Sequence, residues 1–206
     1  MNLIIMGAPG SGKGTQGLLV AHEYGLRHIS TGQLFRQMAQ QDTPLGRAIK
    51  KKVEHGVMVS SKITIGLIKQ QVAQSKKGFI LDGFPRTVKQ ATALDHAISV
   101  QHVIYLTISD TTAIQRILDR VQCLSCHTLY TTKTLPKNKR CTTCNTLLKK
   151  RSDDTIMVAQ KRLRFFHKET EPVLVHYKKR HMLIKIDGEK PIQTVFTQIK
   201  NVLKKD

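Results

Sequence analysis

Gly7-Ala8-Pro9-Gly10-Ser11-Gly12-Lys13-Gly14-Thr15 gathers four glycines and a lysine between the apolar run Leu3 to Met6 and a helix-compatible stretch. Glycines let the backbone wrap closely around phosphate with its amides pointing inward. The helix N-terminus adds partial positive charge and Lys13 a full one, so the stretch reads as an anion cradle. The general phosphate-loop pattern asks for Ser or Thr directly after the lysine; Gly14 takes that slot here and Thr15 comes one later. The competing reading, a glycine-rich turn with no ligand, does not explain why strand, loop, lysine and helix follow in the required order.

Cys123-Leu124-Ser125-Cys126 and Cys141-Thr142-Thr143-Cys144 are two Cys-x2-Cys knuckles 14 residues apart, and they contain all four cysteines. Four thiolates at that spacing match a closed tetrahedral Zn²⁺ site, structural rather than catalytic. An iron–sulfur centre and a pair of redox dithiols are the rivals. His127 reads as a surface residue, because four sulfurs already fill the site. So small a module has no core of its own, and metal binding would supply its folding energy.

The elements that must position these groups show as short Ile/Val/Leu runs at Leu3 to Met6, Phe79 to Leu81, Val103 to Ile108 and Leu183 to Ile186. Longer amphipathic stretches separate them, the alternation of βαβ units in a parallel sheet covered by helices. Helices are expected at about 13–24, 31–40, 61–74, 88–98, 111–120, 155–180 and 191–204. Asp153 and Asp154 stand where they could cap the 155–180 run, and Pro172 should kink it or start a new helix. The fold class is thus doubly wound α/β. Two regions interrupt the rhythm. Residues 30–59 read as a small helical insertion, and residues 121–154, with the cysteines, as a β or ribbon module; 1–29, 60–120 and 155–206 form the core.

At 206 residues the chain can build a core without staples, and 40% hydrophobic with 23% charged residues excludes disorder and fibrous classes. Its 34 Lys and Arg against 14 Asp and Glu leave +20, a field that attracts polyanions. Runs such as Lys50-Lys51-Lys52, Lys149-Lys150-Arg151, Lys178-Lys179-Arg180 and Lys204-Lys205 read first as solvated faces. No signal peptide is visible, and no apolar run approaches the ~20 residues of a membrane span, so a cytoplasmic protein with no membrane partner is expected. Clustered cysteines in a reducing compartment point to metal rather than disulfides.

Further stretches follow in a fixed order: Ile29-Ser30-Thr31-Gly32 with Arg36; Leu81-Asp82-Gly83-Phe84-Pro85-Arg86-Thr87 with Gln90; Arg116 and Arg120; Arg151-Ser152-Asp153-Asp154 with Arg162; and Asp187-Gly188-Glu189-Lys190-Pro191. Together with Gly-x-Pro-Gly-x-Gly-Lys-Gly-Thr these resemble the adenylate kinases, P-loop nucleoside monophosphate kinases, over nearly the whole chain. Gly14 in the Ser/Thr slot matches that family's own form of the loop.

The resemblance implies a five-stranded parallel sheet, a helical NMP-binding insertion, a small zinc-bearing lid, and reversible phosphoryl transfer from MgATP to AMP giving two ADP. On the ATP side it implies Gly10, Ser11, Gly12, Lys13, Gly14, Thr15 and Arg120, with Leu129 and Tyr130 of the lid and Lys190 of the C-terminal loop. On the AMP side it implies Thr31, Arg36, Val57, Met58, Val59, Gly83, Phe84, Pro85, Arg86, Arg151 and Arg162, with Gln90 reading the adenine edge. Arg120, Arg151 and Arg162 would close over the migrating group, where planar guanidinium forks suit phosphate oxygens. Arg116 is implied less firmly and reads also as an ordinary helix-face residue. Asp82 ends a buried strand, where an unpaired carboxylate is costly; the resemblance puts Mg²⁺ and its waters there, and a helix cap or an Arg86 salt bridge is the alternative. Gln33 departs from the family's common acid, which removes a contact to Mg²⁺ or its waters and leaves the phosphate grips untouched.

Two other readings compete. A kinase of the same fold acting on UMP, CMP or GMP differs only in soft base contacts, although Thr31 and Gln90 favour adenine. A nucleic-acid binder using the ribbon and the +20 charge is the other; aromatics of only 5% with no Trp make stacking platforms scarce, so nucleic acid is not the expected partner. A monomer is expected.

Overall fold

The computed structural model describes residues 1–55, 57–126 and 128–204. Strands β1 (Asn2–Gly7), β2 (Arg27–Ser30), β3 (Phe79–Asp82), β4 (His102–Thr107) and β8 (Leu183–Asp187) form one parallel sheet in the order β2-β3-β1-β4-β8. Central β1 reads as an unbroken apolar run because both its faces are covered. Leu3 and Ile5 pack on Val20 of α1 (Lys13–Tyr24) and on Val195 and Ile199 of α9 (Ile192–Leu203). Ile4 and Met6 point the other way, onto Ile68 of α4 (Ser61–Ala73), Leu94 of α5 (Val88–Asp95), Leu163 of α7 (Ile156–Phe165) and Tyr177 of α8 (Glu171–Lys179). Each fully buried aliphatic side chain of this kind stabilises the fold by roughly 1.5–3 kcal/mol.

Strand β2 has no apolar run to announce it. It lies at the sheet edge, where Arg27 and His28 are only half buried and Ile29 alone enters the core. Residues 30–59 hold two helices, α2 (Thr31–Met38) and α3 (Pro44–Glu54). Pro44 separates them. It forces Thr43 out of helical geometry, to φ −124° and ψ 157°, and then serves as the first residue of α3, whose Gly46 amide the Thr43 hydroxyl caps.

After α6 (Asp110–Leu118), strands β5 (Arg120–Cys123), β6 (Leu129–Thr131) and β7 (Leu148–Lys149) make an antiparallel sheet in the order β6-β5-β7. Its core is minimal: Val121, Tyr130, Leu148 and the buried Cys123 and Cys141.

The long C-terminal helix differs from expectation at two points. Its cap is Thr155, whose hydroxyl accepts from the Val158 amide; Asp153 and Asp154 do not cap it and are engaged elsewhere. The run expected over 155–180 is divided by one π turn, Phe166–Thr170, before α8 begins with Pro172 in its first turn. Helices expected over 31–40 and 88–98 end earlier, at Met38 and Asp95.

Candidate active site

The C-terminal ends of β1, β2 and β3 open into one cavity of about 1120 Å³ that also reaches α2, the 120–131 ribbon and the 188–192 loop. That volume exceeds the roughly 300–1,000 Å³ of a single small-ligand pocket. It has room for two nucleotides.

The loop between β1 and α1 forms its floor. Gly10 has φ +86°, and a Cβ there would sit 2.5 Å from the Ala113 carbonyl of α6, so only glycine allows this approach. Gly12 caps α1 without a side chain. The first-turn amides therefore have no side-chain partner and remain open to an anion. Ser11 Oγ is likewise buried with no hydrogen-bond partner. The Lys13 ammonium touches the Ala8 carbonyl at 3.1 Å. Burial pushes its pKa down to about 8, against the pull of Asp82 and with the repulsion of Arg86, Arg120 and Arg162.

Among the described residues eight Lys and Arg side chains line this cavity: Arg116 and Lys190 at its rim, and Lys13, Arg36, Arg86, Arg120, Arg151 and Arg162. Three of them have carboxylate partners. Arg120 grips Asp154 through two bonds of 2.8 and 2.5 Å, Arg151 grips Asp153 through bonds of 2.9 and 2.5 Å, and Arg162 shares Asp153. Burial alone would raise the Asp153 carboxyl, but Arg151 and then Arg162 hold it well below the usual carboxylate range. Arg36 and Arg86 form no ion pair within 4 Å among the described residues. Burial, and next the charge of Arg151, press Arg36 down to about 9. Such a set of desolvated cations is completed by an anion.

Asp82 is not paired with Arg86. It lies under the phosphate loop with its Oδ2 3.7 Å from His28 Nε2, beyond hydrogen-bond distance. Burial opposes ionisation there, yet His28, Lys13 and Arg86 keep the carboxyl below its ordinary value. Arg86 instead folds back, its Nε donating to the Gly83 carbonyl at 2.7 Å. Thr31 Oγ1 donates to the same carbonyl at 3.0 Å. Gln90 is 2% exposed and ties two elements: its Oε1 accepts from the Arg86 amide at 2.8 Å and its Nε2 donates to Ser61 at 3.2 Å. Val57, Met58, Val59, Gly83 and Pro85 line the same end, while Phe84, 2% exposed, packs into the core beneath it.

At the other end lie Gly14, Thr15, Leu129, Tyr130 and Lys190. Arg116 clamps the C-terminal loop by donating to the Gly188 and Glu189 carbonyls at 2.8 and 3.1 Å. Glu189 completes the anchor, accepting from the Ser109 amide and hydroxyl at 2.8 and 2.7 Å.

The four cysteine sulfurs lie within 4.8 Å of one another, with Cys123 to Cys144 and Cys126 to Cys141 both at 3.4 Å. A tetrahedral ion with ~2.3 Å Zn–S bonds sets its ligands ~3.8 Å apart, so the cluster fits one zinc and leaves no room for a multi-iron core. The Tyr130 hydroxyl lowers the Cys141 thiol to about 5, and Thr146 lowers Cys144 to about 7. Burial pushes Cys126 up to about 11: crowded thiols cannot all ionise without a cation between them. Tyr130, expected at ATP, turns its hydroxyl to Cys141 and Thr142 instead. His127 lies outside the described residues.

His28, Asp153, Asp154 and Glu189 were not anticipated as site partners. Asp153 and Asp154 precede a helix and mimic caps. His28 sits on the unrecognised edge strand, and its approach to Asp82 appears only once β2 is paired with β3.

The Lys13 shift has a testable sign. With a folded pKa near 8 and an ordinary value of 10.5, Lys13 binds fewer protons in the folded protein than in the unfolded chain between those pH values. In that window stability from this group rises with pH, and a bound phosphate reverses the shift. Nucleotide binding at pH 8.5 is therefore expected to take up a fraction of a proton, dwindling below pH 7. Titration calorimetry in two buffers of different ionisation enthalpy reads it; identical enthalpies at pH 8.5 would contradict the assignment.

A family model described as adenylate kinase matches residues 5–182. An adenylate kinase of Treponema denticola is 38% identical over 204 residues, covering 97% of this chain and 98% of the relative. One from Carboxydothermus hydrogenoformans is 38% identical and covers 100% of both chains, and one from Archaeoglobus fulgidus is 36% identical over 100% and 99%. A shared phosphate loop alone does not produce full-length similarity of this order. The chain belongs to the adenylate kinase family of nucleoside monophosphate kinases.

Proposed function

We propose that the chain catalyses reversible transfer of the γ-phosphoryl group of MgATP to AMP, giving two ADP. The observation that carries this reading is the set Lys13, Arg36 and Arg86, none in an ion pair within 4 Å among the described residues, facing a cavity wide enough for two nucleotides. An oxygen of the AMP phosphate attacks the γ-phosphorus while the bond to the β,γ-bridging oxygen breaks, and the electron pair leaves with ADP. The attacking oxygen is already anionic at neutral pH, so positioning and charge neutralisation are the protein's main tasks.

In this reading Gly10, Ser11, Gly12, Gly14 and Thr15 cradle the ATP phosphates, with Lys13 on the β,γ side. Leu129, the ring of Tyr130, and Lys190 bound the rest of ATP. Arg36 and Arg86 hold the AMP phosphate, while Thr31, Val57, Met58, Val59 and the backbone of Gly83, Phe84 and Pro85 frame its nucleoside. Gln90 Nε2 exchanges Ser61 for the adenine edge. Arg120, Arg151 and Arg162 loosen from Asp153 and Asp154 to take the migrating phosphoryl, a swap of one anion for another. Asp82, ionised and beside the loop, suits a Mg²⁺ that keeps most of its water; the ion would neutralise phosphate charge. Residues 30–59 and 121–154 act as closing bodies on the core and exclude water that would otherwise hydrolyse the phosphoryl. Zinc is the metal of the cysteine site. We further propose a cytoplasmic monomer, in keeping with four unpaired thiols, and nucleotides rather than nucleic acid as partners.

A coupled ADP-forming assay with ATP and each of AMP, CMP, UMP and GMP tests this. AMP is expected to have the highest kcat/KM by at least tenfold; preference for another base would overturn the adenine assignment and leave the transfer chemistry standing.

A further inference from the structure

We infer that Thr170 is a positioning residue for Arg86, set in place by the π turn that precedes Pro172. The inference rests on the reading of Arg86 as a grip on the AMP phosphate.

Pro172 has no amide hydrogen, and in a regular α-helix its ring would strike the carbonyl of residue 168. The chain answers by widening one turn, so that the Glu171 amide bonds to the Phe166 carbonyl five residues back. Eight residues of α-helix, the distance from Arg162 to Thr170, would overshoot two full turns by roughly 80°. A wider turn absorbs that excess. Arg162, Phe166 and Thr170 consequently line one cavity although a helix junction lies between them.

The Thr170 hydroxyl is then used in an unusual way. A threonine in a helix commonly bonds back to its own preceding turn or caps the next helix. Thr170 caps nothing in α8 and donates at 2.9 Å to the carbonyl of Arg86, a residue 84 positions away, while being only 6% exposed. Arg86 sits in the irregular link between β3 and α5, outside any ladder or helix that would fix it. Its amide is held by Gln90, its Nε by Gly83 and its carbonyl by Thr170. No carboxylate lies within 4 Å of the guanidinium among the described residues, so these anchors fix where it points. Because ~1 Å of misplacement can cost about 10²-fold, a lost anchor should be visible in AMP kinetics.

The test uses Thr170→Val, which keeps the shape and removes the hydroxyl, Thr170→Ser, which restores it, and Arg86→Met alongside. Thr170→Val is expected to lower kcat/KM for AMP by roughly 5–20-fold, with KM for ATP within about twofold and Thr170→Ser near wild type. Equal losses for both nucleotides, or a lower melting temperature with unchanged AMP kinetics, would show a merely structural threonine. If Thr170→Val is silent while Arg86→Met loses AMP, the inference fails and the pocket stands. If Arg86→Met is silent too, both fail. Should valine prevent folding, Thr170→Ala gives the same comparison.

Discussion

Lys13→Met is expected to abolish phosphoryl transfer, with kcat falling by roughly 10³-fold or more, while the folded protein persists. Removing one preorganised donor to developing charge typically costs about 10²–10³. Lys13 should sit at or above the top of that range, because it brings a full charge into a water-poor loop. The structural cost is small by comparison. Methionine is unbranched and of similar length, and its loss of the Ala8 contact is worth about 1 kcal/mol. Against that, burial already disfavours the ammonium, so removing it relieves desolvation and repulsion from Arg86. Thermal unfolding is therefore expected to shift by no more than a few degrees. Turnover near the wild-type rate would refute the assignment of Lys13, and a collapsed fold would show that the lysine is structural.

Stripping zinc is expected to have the second largest effect. The 121–149 ribbon buries too few apolar side chains to stand alone. Metal held at about a thousand times its Kd stabilises the folded form by about 4 kcal/mol. For a chain of this size each kcal/mol moves the melting temperature by roughly 2–4 °C, so chelation should lower it by roughly 8–16 °C. The loss reaches catalysis as well, since Arg120 and Arg151 sit at the two ends of the ribbon and face the cavity. Metal analysis should return one zinc per chain. Iron, or no metal with an unchanged melting temperature, would refute the site.

How far the sequence reveals this molecule depends on where each residue's partner lies. Strand β1, the phosphate loop and α1 are legible nearly to the residue, because apolar run, glycines and helix signal are adjacent in the chain. The four cysteines announce their cluster by spacing alone. Edge strand β2 is illegible, since half-buried Arg27 and His28 remove the apolar pattern that marks a strand. The cavity's arginines could be named from their motifs, but not the carboxylates that hold them: Asp153 and Asp154 stand just before α7 and resemble caps, and only the fold shows that Thr155 does the capping. Pro172 signals a break in a helix, yet a π turn that keeps the helix going and aims Thr170 at Arg86 depends on contacts 84 residues apart. Tyr130 is a mixed case, found at the ribbon as expected, with its hydroxyl turned to the metal ligands.

A cavity that holds two nucleotides and moves a phosphoryl group between them while excluding water has a fixed product stoichiometry. Phosphorus NMR of the protein with MgATP and AMP tests it most directly. Two ADP should appear for every ATP consumed, with no inorganic phosphate. ATP consumption that yields inorganic phosphate, or that proceeds without loss of AMP, would contradict it.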